Sequence, residues 1–172
     1  DTSVDLSAPN SLPTGEVTIP AVSLEGSILY VSNTLDDVDG IGEITYQWYA
    51  DGIAIPGRTS DLFILGQSEV GKRIHVIASY LDGRGTTESV SSNSTPPVTN
   101  VNDAPSGSVM IGGVARHGET LKVTNDLSDE DGLGEISYQW FADDNAIPDA
   151  TTDSLLISFS EVGKAITVKA MY

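Results

Sequence analysis

The chain has 172 residues, room for one domain or two small ones at roughly 150 residues per domain. Lys plus Arg is 8 against 25 for Asp plus Glu, a net charge of −17, which excludes a nucleic-acid binder and docking on an anionic membrane. No apolar run reaches the roughly 20 residues of a spanning helix, and with no cysteine the chain has neither disulfides nor thiolate chemistry.

Taken in chain order, residues 1–12 read as the tail of a preceding linker. The next segments alternate apolar and polar residues and are broken by turn residues every 8 to 12 positions or so. This predicts strands near 16–22, 27–33, 44–50, 53–56, 61–66, 73–80 and 87–93, and no helix. Ile44, Tyr46 and Trp48 share one face of the third strand; Thr45, Gln47 and Tyr49 share the other. Trp48 reads as core, with a sugar-stacking platform as the alternative.

The pattern is then written again. Glu43-Ile-Thr-Tyr-Gln-Trp-Tyr-Ala-Asp51 returns as Glu135-Ile-Ser-Tyr-Gln-Trp-Phe-Ala-Asp143, an offset of 92 residues. From Asp36 to Tyr80, 25 of 45 positions equal their partners, so the repeat is not a chance match. The division is repeat 1 at 13–99, a Pro-bearing linker at 100–105, and repeat 2 at 106–172. The second copy reads as lacking its last strand. About 90 residues with seven short strands predicts an all-β chain of two tandem Ig-like β-sandwiches. Strand 165–172 is expected to present an unpaired edge, covered by another chain or by residues 1–8 of a neighbour.

The densest chemistry lies in Asp36-Asp37-Val-Asp39-Gly40-Ile-Gly42-Glu43 and its partner Ser128-Asp129-Glu-Asp131-Gly132-Leu-Gly134-Glu135. Carboxylates two apart in a glycine-bearing loop converge and repel unless a cation separates them. Oxygen ligands favour Ca²⁺ or Mg²⁺, and a flexible loop with carbonyls favours Ca²⁺. The bland alternative is a set of Asx turns without metal. In an Ig-like sandwich the second-to-third strand loop and the last hairpin share one pole. That places Asp37 and Asp39 near Asp82, and Asp129 and Asp131 near linker residues Asn102 and Asp103. A cation at the junction of the repeats would draw on both.

The Tyr-Gln-Trp strand, the Asp-Gly turn, Ala54-Ile-Pro56 and Glu69-Val-Gly-Lys72 with the strand after it resemble bacterial Ig-like repeats. The linker Asn100-Val-Asn-Asp-Ala-Pro105 resembles the calcium-binding linkers of cadherins and cadherin-like bacterial repeats. The resemblance implies an extracellular, secreted setting on a cell-surface adhesin, with neighbouring repeats of the same chain as first partners. It implies an extender that holds a binding tip away from the cell. The rival reading is a carbohydrate- or protein-binding module. Tyr49 and Phe141 occupy matched positions opposite the two tryptophans, where they would offer ring faces to a glycan or pack under the adjacent turn. No nucleophile elbow, phosphate-cradling loop or histidine set is present, so no catalytic residue is assigned and no enzyme is expected. His75 is expected to face solvent.

Overall fold

The computed structural model describes residues 9–172. The readings that involve residues 1–8, as linker tail and as a covering strand, lie outside the described residues. The chain forms two compact units, the first ending at Val101 and the second spanning Asn102–Tyr172.

Unit 1 holds β1 (Val17–Thr18), β2 (Ile28–Tyr30), β3 (Ser32–Asn33), β4 (Thr45–Ala50), β5 (Ile53–Ala54), β6 (Leu62–Ile64), β7 (Ile74–Leu81) and β8 (Thr87–Ser91). One layer is the antiparallel sheet β5-β4-β7-β8; the other is built from the pairs β1-β3 and β2-β6. The expected strand 27–33 is split at Val31 because its first half pairs with β6 and its second with β1. One turn of 3-10 helix, Gln67–Glu69, precedes β7.

Period-two patterning sets the faces. In β7 every second residue from Ile74 to Tyr80 is buried, and the layers close over Trp48, Leu29, Phe63 and Leu65. Trp48 has no exposed surface, so its reading as core holds. Its ring lies 5.3 Å from Phe63, and its indole N–H donates to the Ser60 carbonyl at 2.8 Å, as a buried Trp requires. The polar partner in the Tyr-Gln-Trp motif is equally structural: the Gln47 amide donates to the carbonyls of Trp48 and Ile55 at 2.9 and 2.8 Å.

Unit 2 repeats this plan with β9 (Val109–Gly112), β10 (Thr120–Asn125), β11 (Ser137–Ala142), β12 (Asn145–Ala146), β13 (Ser154–Leu156) and β14 (Ile166–Met171). Its sheets are β13-β10-β9 and β12-β11-β14. Trp140 is fully buried, its N–H bonded to the Thr152 carbonyl at 2.9 Å, and Gln139 repeats the Gln47 bonds. β14 is an edge strand: among the described residues nothing pairs with its outer side. No counterpart of β8 occurs in the sequence.

Two local details go beyond the sequence pattern. Pro96 to Thr99, the polar end of repeat 1, shows no alternation, yet Val98 is 3% exposed and belongs to the unit 1 core. It gets there by parallel bridges, Val70 to Val98 and Leu24 to Thr99, which no local pattern announces. His75 is only half-buried rather than open, because its ring stacks on Tyr49 at 5.0 Å.

Candidate functional site: an acidic pole in unit 1

The loop from β3 to β4 carries Asp37 and Asp39, and the β7–β8 hairpin carries Asp82. The two segments meet through backbone: Gly83 N–H donates to the Asp39 carbonyl at 2.9 Å and Gly42 N–H to the Leu81 carbonyl at 3.1 Å. Glycine is required for this approach. A Cβ at 42 would sit 2.4 Å from the Leu81 oxygen, and one at 83 would sit 2.3 Å from the Asp39 oxygen.

Four carboxylates are thereby buried together: Asp37, Asp39, Asp82 and Glu88, none more than 8% exposed. Asp37 accepts the Asp39 N–H at 2.8 Å on one oxygen and the Tyr80 hydroxyl at 2.8 Å on the other. Asp39 accepts the Ser11 N–H at 2.7 Å and pairs with the Arg84 guanidinium at 2.5 Å. These contacts, the Ser11 N–H foremost and Arg84 next, hold the Asp39 carboxyl below the usual range. Glu88 accepts from the Asn10 amide at 2.6 Å. Burial, and after it the bond to Asp37, raises the Tyr80 hydroxyl well above its ordinary value. Tyr80 is therefore a permanent donor wherever the carboxylates are charged.

Asp82 is the exception. Its Oδ1 accepts N–H groups of Arg84 and Thr86 at 2.9 and 2.7 Å, but its buried Oδ2 has no partner among the described residues. Asp37, Asp82 and Glu88 each place a carboxylate oxygen within 4.8 Å of the others. Buried like charges at this spacing are costly without a counter-charge, and an unpaired carboxylate oxygen costs more. Three carboxylates with oxygens this close, one of them carrying an unsatisfied oxygen, fit Ca²⁺ or Mg²⁺.

Unit 2 reproduces the loop but not the enclosure. Asp129 accepts the Asp131 N–H at 2.9 Å and the Tyr172 hydroxyl at 3.2 Å. Asp131 accepts the Asp103 N–H at 2.7 Å, as Asp39 does from Ser11. Asp131 is exposed and Asp129 half-buried. The Asn102 amide turns to the Asp103 carbonyl at 2.8 Å. Of the acids read from sequence, Asp37, Asp39 and Asp82 thus come together in unit 1. Asp129, Asp131 and the backbone of Asp103 come together in unit 2.

Glu88 was missed as a site residue. Its signal is parity: it lies two residues from Val90 on β8, opposite Tyr80, so the strand turns it inward. Tyr49 and Phe141 are half-buried; Tyr49 lies against His75, and Phe141 pairs across the sheet with Ala146 and Thr167.

Fold and site together define an all-β module of tandem Ig-like sandwiches with an acid-lined pole. No protein-family model matches the chain, and no curated protein sequence matches it. Among solved structures it is similar to three N-terminal domains of the highly immunogenic outer capsid protein (Hoc) of bacteriophage RB49. The TM-score is 0.34 and the identity 16%, over 92% of this chain and 54% of that one, so the chain spans about half of that structure. The Ig-like assignment stands on the strand pairing within each unit. Among the described residues no helix is long and apolar enough to cross a membrane.

Proposed function

We propose that the chain is a non-catalytic spacer from an extracellular, bacterial cell-surface adhesin, stiffened by Ca²⁺ at the pole where the linker enters a repeat. The observation that carries the metal is the buried Asp82 carboxylate, grouped with those of Asp37 and Glu88, whose Oδ2 has no partner among the described residues. Asp37, Asp82 and Glu88 would hold the ion, and it would supply the missing counter-charge. The stiffening follows from connectivity. Asn10 and Ser11 of the incoming segment bond Glu88 and Asp39, so linker, loop and hairpin meet at one place. An ion there ties three chain segments together. Affinity typical of extracellular modules is about 10⁻⁴–10⁻³ M. At 100 times the dissociation constant the ion adds about 2.7 kcal/mol to the folded unit.

Calorimetry with and without Ca²⁺ tests this. Ca²⁺ is expected to raise the melting temperature of unit 1 and EGTA to reverse it. Asp82→Asn should abolish the response while leaving the metal-free melting temperature equal or higher, since one buried repulsion is gone. A melting temperature indifferent to Ca²⁺ would overturn the metal. A spacer should also show no saturable binding on a glycan panel; binding lost in Tyr49→Ala or Phe141→Ala would favour the binding-module reading instead.

A further inference from the structure

We propose that the outer face of the β2–β6 pair in unit 1 is a self-association surface that stacks on the same face of a second copy of this chain. Leu29 and Phe63, the middle residues of the two strands, point inward and are buried. Strand parity then turns Ile28 and Tyr30 of β2 and Leu62 and Ile64 of β6 outward. Ile28 stands directly opposite Ile64, and Tyr30 opposite Leu62. Side chains so placed touch across the strands, and the four form one patch. Each is between 53% and 62% exposed.

Strands that are apolar on both sides are the pattern of a sheet covered on both faces. Unit 2 shows that the fold itself does not ask for it. In the same register its β10–β13 pair carries Thr120, Lys122, Ser154 and Leu156, so three of the four positions are polar. The apolar face belongs to unit 1 alone, where the inner sides of both strands already fill the core.

Charge and area select the occupant. The chain carries −17, so most of its surface repels a second copy. This face does not. The positions that extend it along the strands are Gly26, Ser32, Ser60 and Gly66, and Ser32 pairs with Thr18. A basic partner would find no carboxylate here to meet, whereas an equally uncharged, flat face matches it. At roughly 150–200 Å² per large side chain, the open part of the patch is about 400 Å². Two such faces with their polar rims reach about 1,000–1,200 Å², the size of a weak, reversible interface. Sheets pack face to face at about 10 Å, as the two layers inside the unit do. The same patch on both copies makes the contact isologous, so it closes at the dimer.

Sedimentation of the unaltered protein in EGTA, from about 1 µM to about 1 mM, should show the mass rising from one chain towards two and stopping there. Added salt should tighten the dimer, because it screens the chains and weakens nothing at an uncharged face. Ile28→Thr/Tyr30→Lys/Leu62→Ser writes the residues of unit 2 into unit 1 and should hold the mass at the monomer, although it lowers the net charge. An unchanged calorimetric transition for unit 1 checks that this variant folds. The chain has no cysteine, so a spin label at Ser32→Cys reports on one place only. It should give a single narrow distance between copies. A monomer up to about 1 mM would overturn the proposal. So would a dimer that salt dissolves, a dimer that survives the triple substitution, or one with no distance between labels. A chain that stays monomeric and instead binds neutral phosphatidylcholine vesicles would assign the face to lipid and overturn it as well.

Discussion

The two units are the same template in different surroundings. Ile74, Val76 and Ala78 of β7 have no exposed surface; Ile166, Val168 and Ala170 of β14, at the same register, are only half-buried. Tyr80 is 3% exposed and Tyr172 is 48% exposed. Asp39 is buried and ion-paired; Asp131 is exposed. The residues differ little. What differs is that unit 1 has β8 and residues 92–99 packed against it, and these 172 residues hold no counterpart for unit 2. A carboxylate in such a loop becomes a metal-site candidate only when a hairpin closes over it.

Substitutions made in pairs test this contrast. Trp48→Ala should have the largest effect, costing about 3–5 kcal/mol in unit 1 as a large buried ring is lost. Trp140→Ala should cost less, because the smaller core around it relaxes more easily. Two resolved calorimetric transitions would show which unit each change weakens, and equal losses would break the comparison. Next comes the glycine pair. Gly42→Ala forces a Cβ against the Leu81 carbonyl and should cost about 1–3 kcal/mol, the range for overpacking. Gly134→Ala meets nothing within 4 Å and should be close to neutral in the same urea titration. A third change runs in favour of unit 2. The β11–β12 turn holds Asp144 at φ 63, where unit 1 has Gly52. Asp144→Gly should stabilise unit 2 by about 1 kcal/mol, since a left-handed non-glycine residue costs roughly 1–2 kcal/mol.

The smallest effect expected is a pH dependence confined to unit 1. Burial lowers His75 below its ordinary value of 6.5, whereas the matching residue in unit 2 is Thr167. Above pH 6.5 both folded and unfolded forms are neutral and the full stability is present. As the pH falls through 6.5 the unfolded chain takes up a proton first, so unit 1 loses stability. His75→Thr should flatten its melting temperature between pH 7 and 5 and leave the unit 2 transition unmoved.

The 92-residue repeat, the period-two strands, the buried tryptophans and the paired Asp-x-Asp loops were all legible in the chain. Each is a local pattern, and local patterns need only the dihedral and side-chain alternation of a strand to express themselves. The gathering of Asp37, Asp39 and Asp82 was also within reach, because an Ig-like sandwich sets that loop and hairpin at one pole. Glu88 was not read as a member, although strand parity points it inward. Other decisions were made only in three dimensions. Arg84 pairs with Asp39 across 45 residues, and Asn10 reaches Glu88 across 78. Val98 enters a core from a polar stretch without alternation, and one oxygen of Asp82 has no donor among the described residues. These depend on which distant segments the sheets bring within hydrogen-bond reach. Sequence order alone carries no such distances, because proximity between remote residues exists only once the layers have closed.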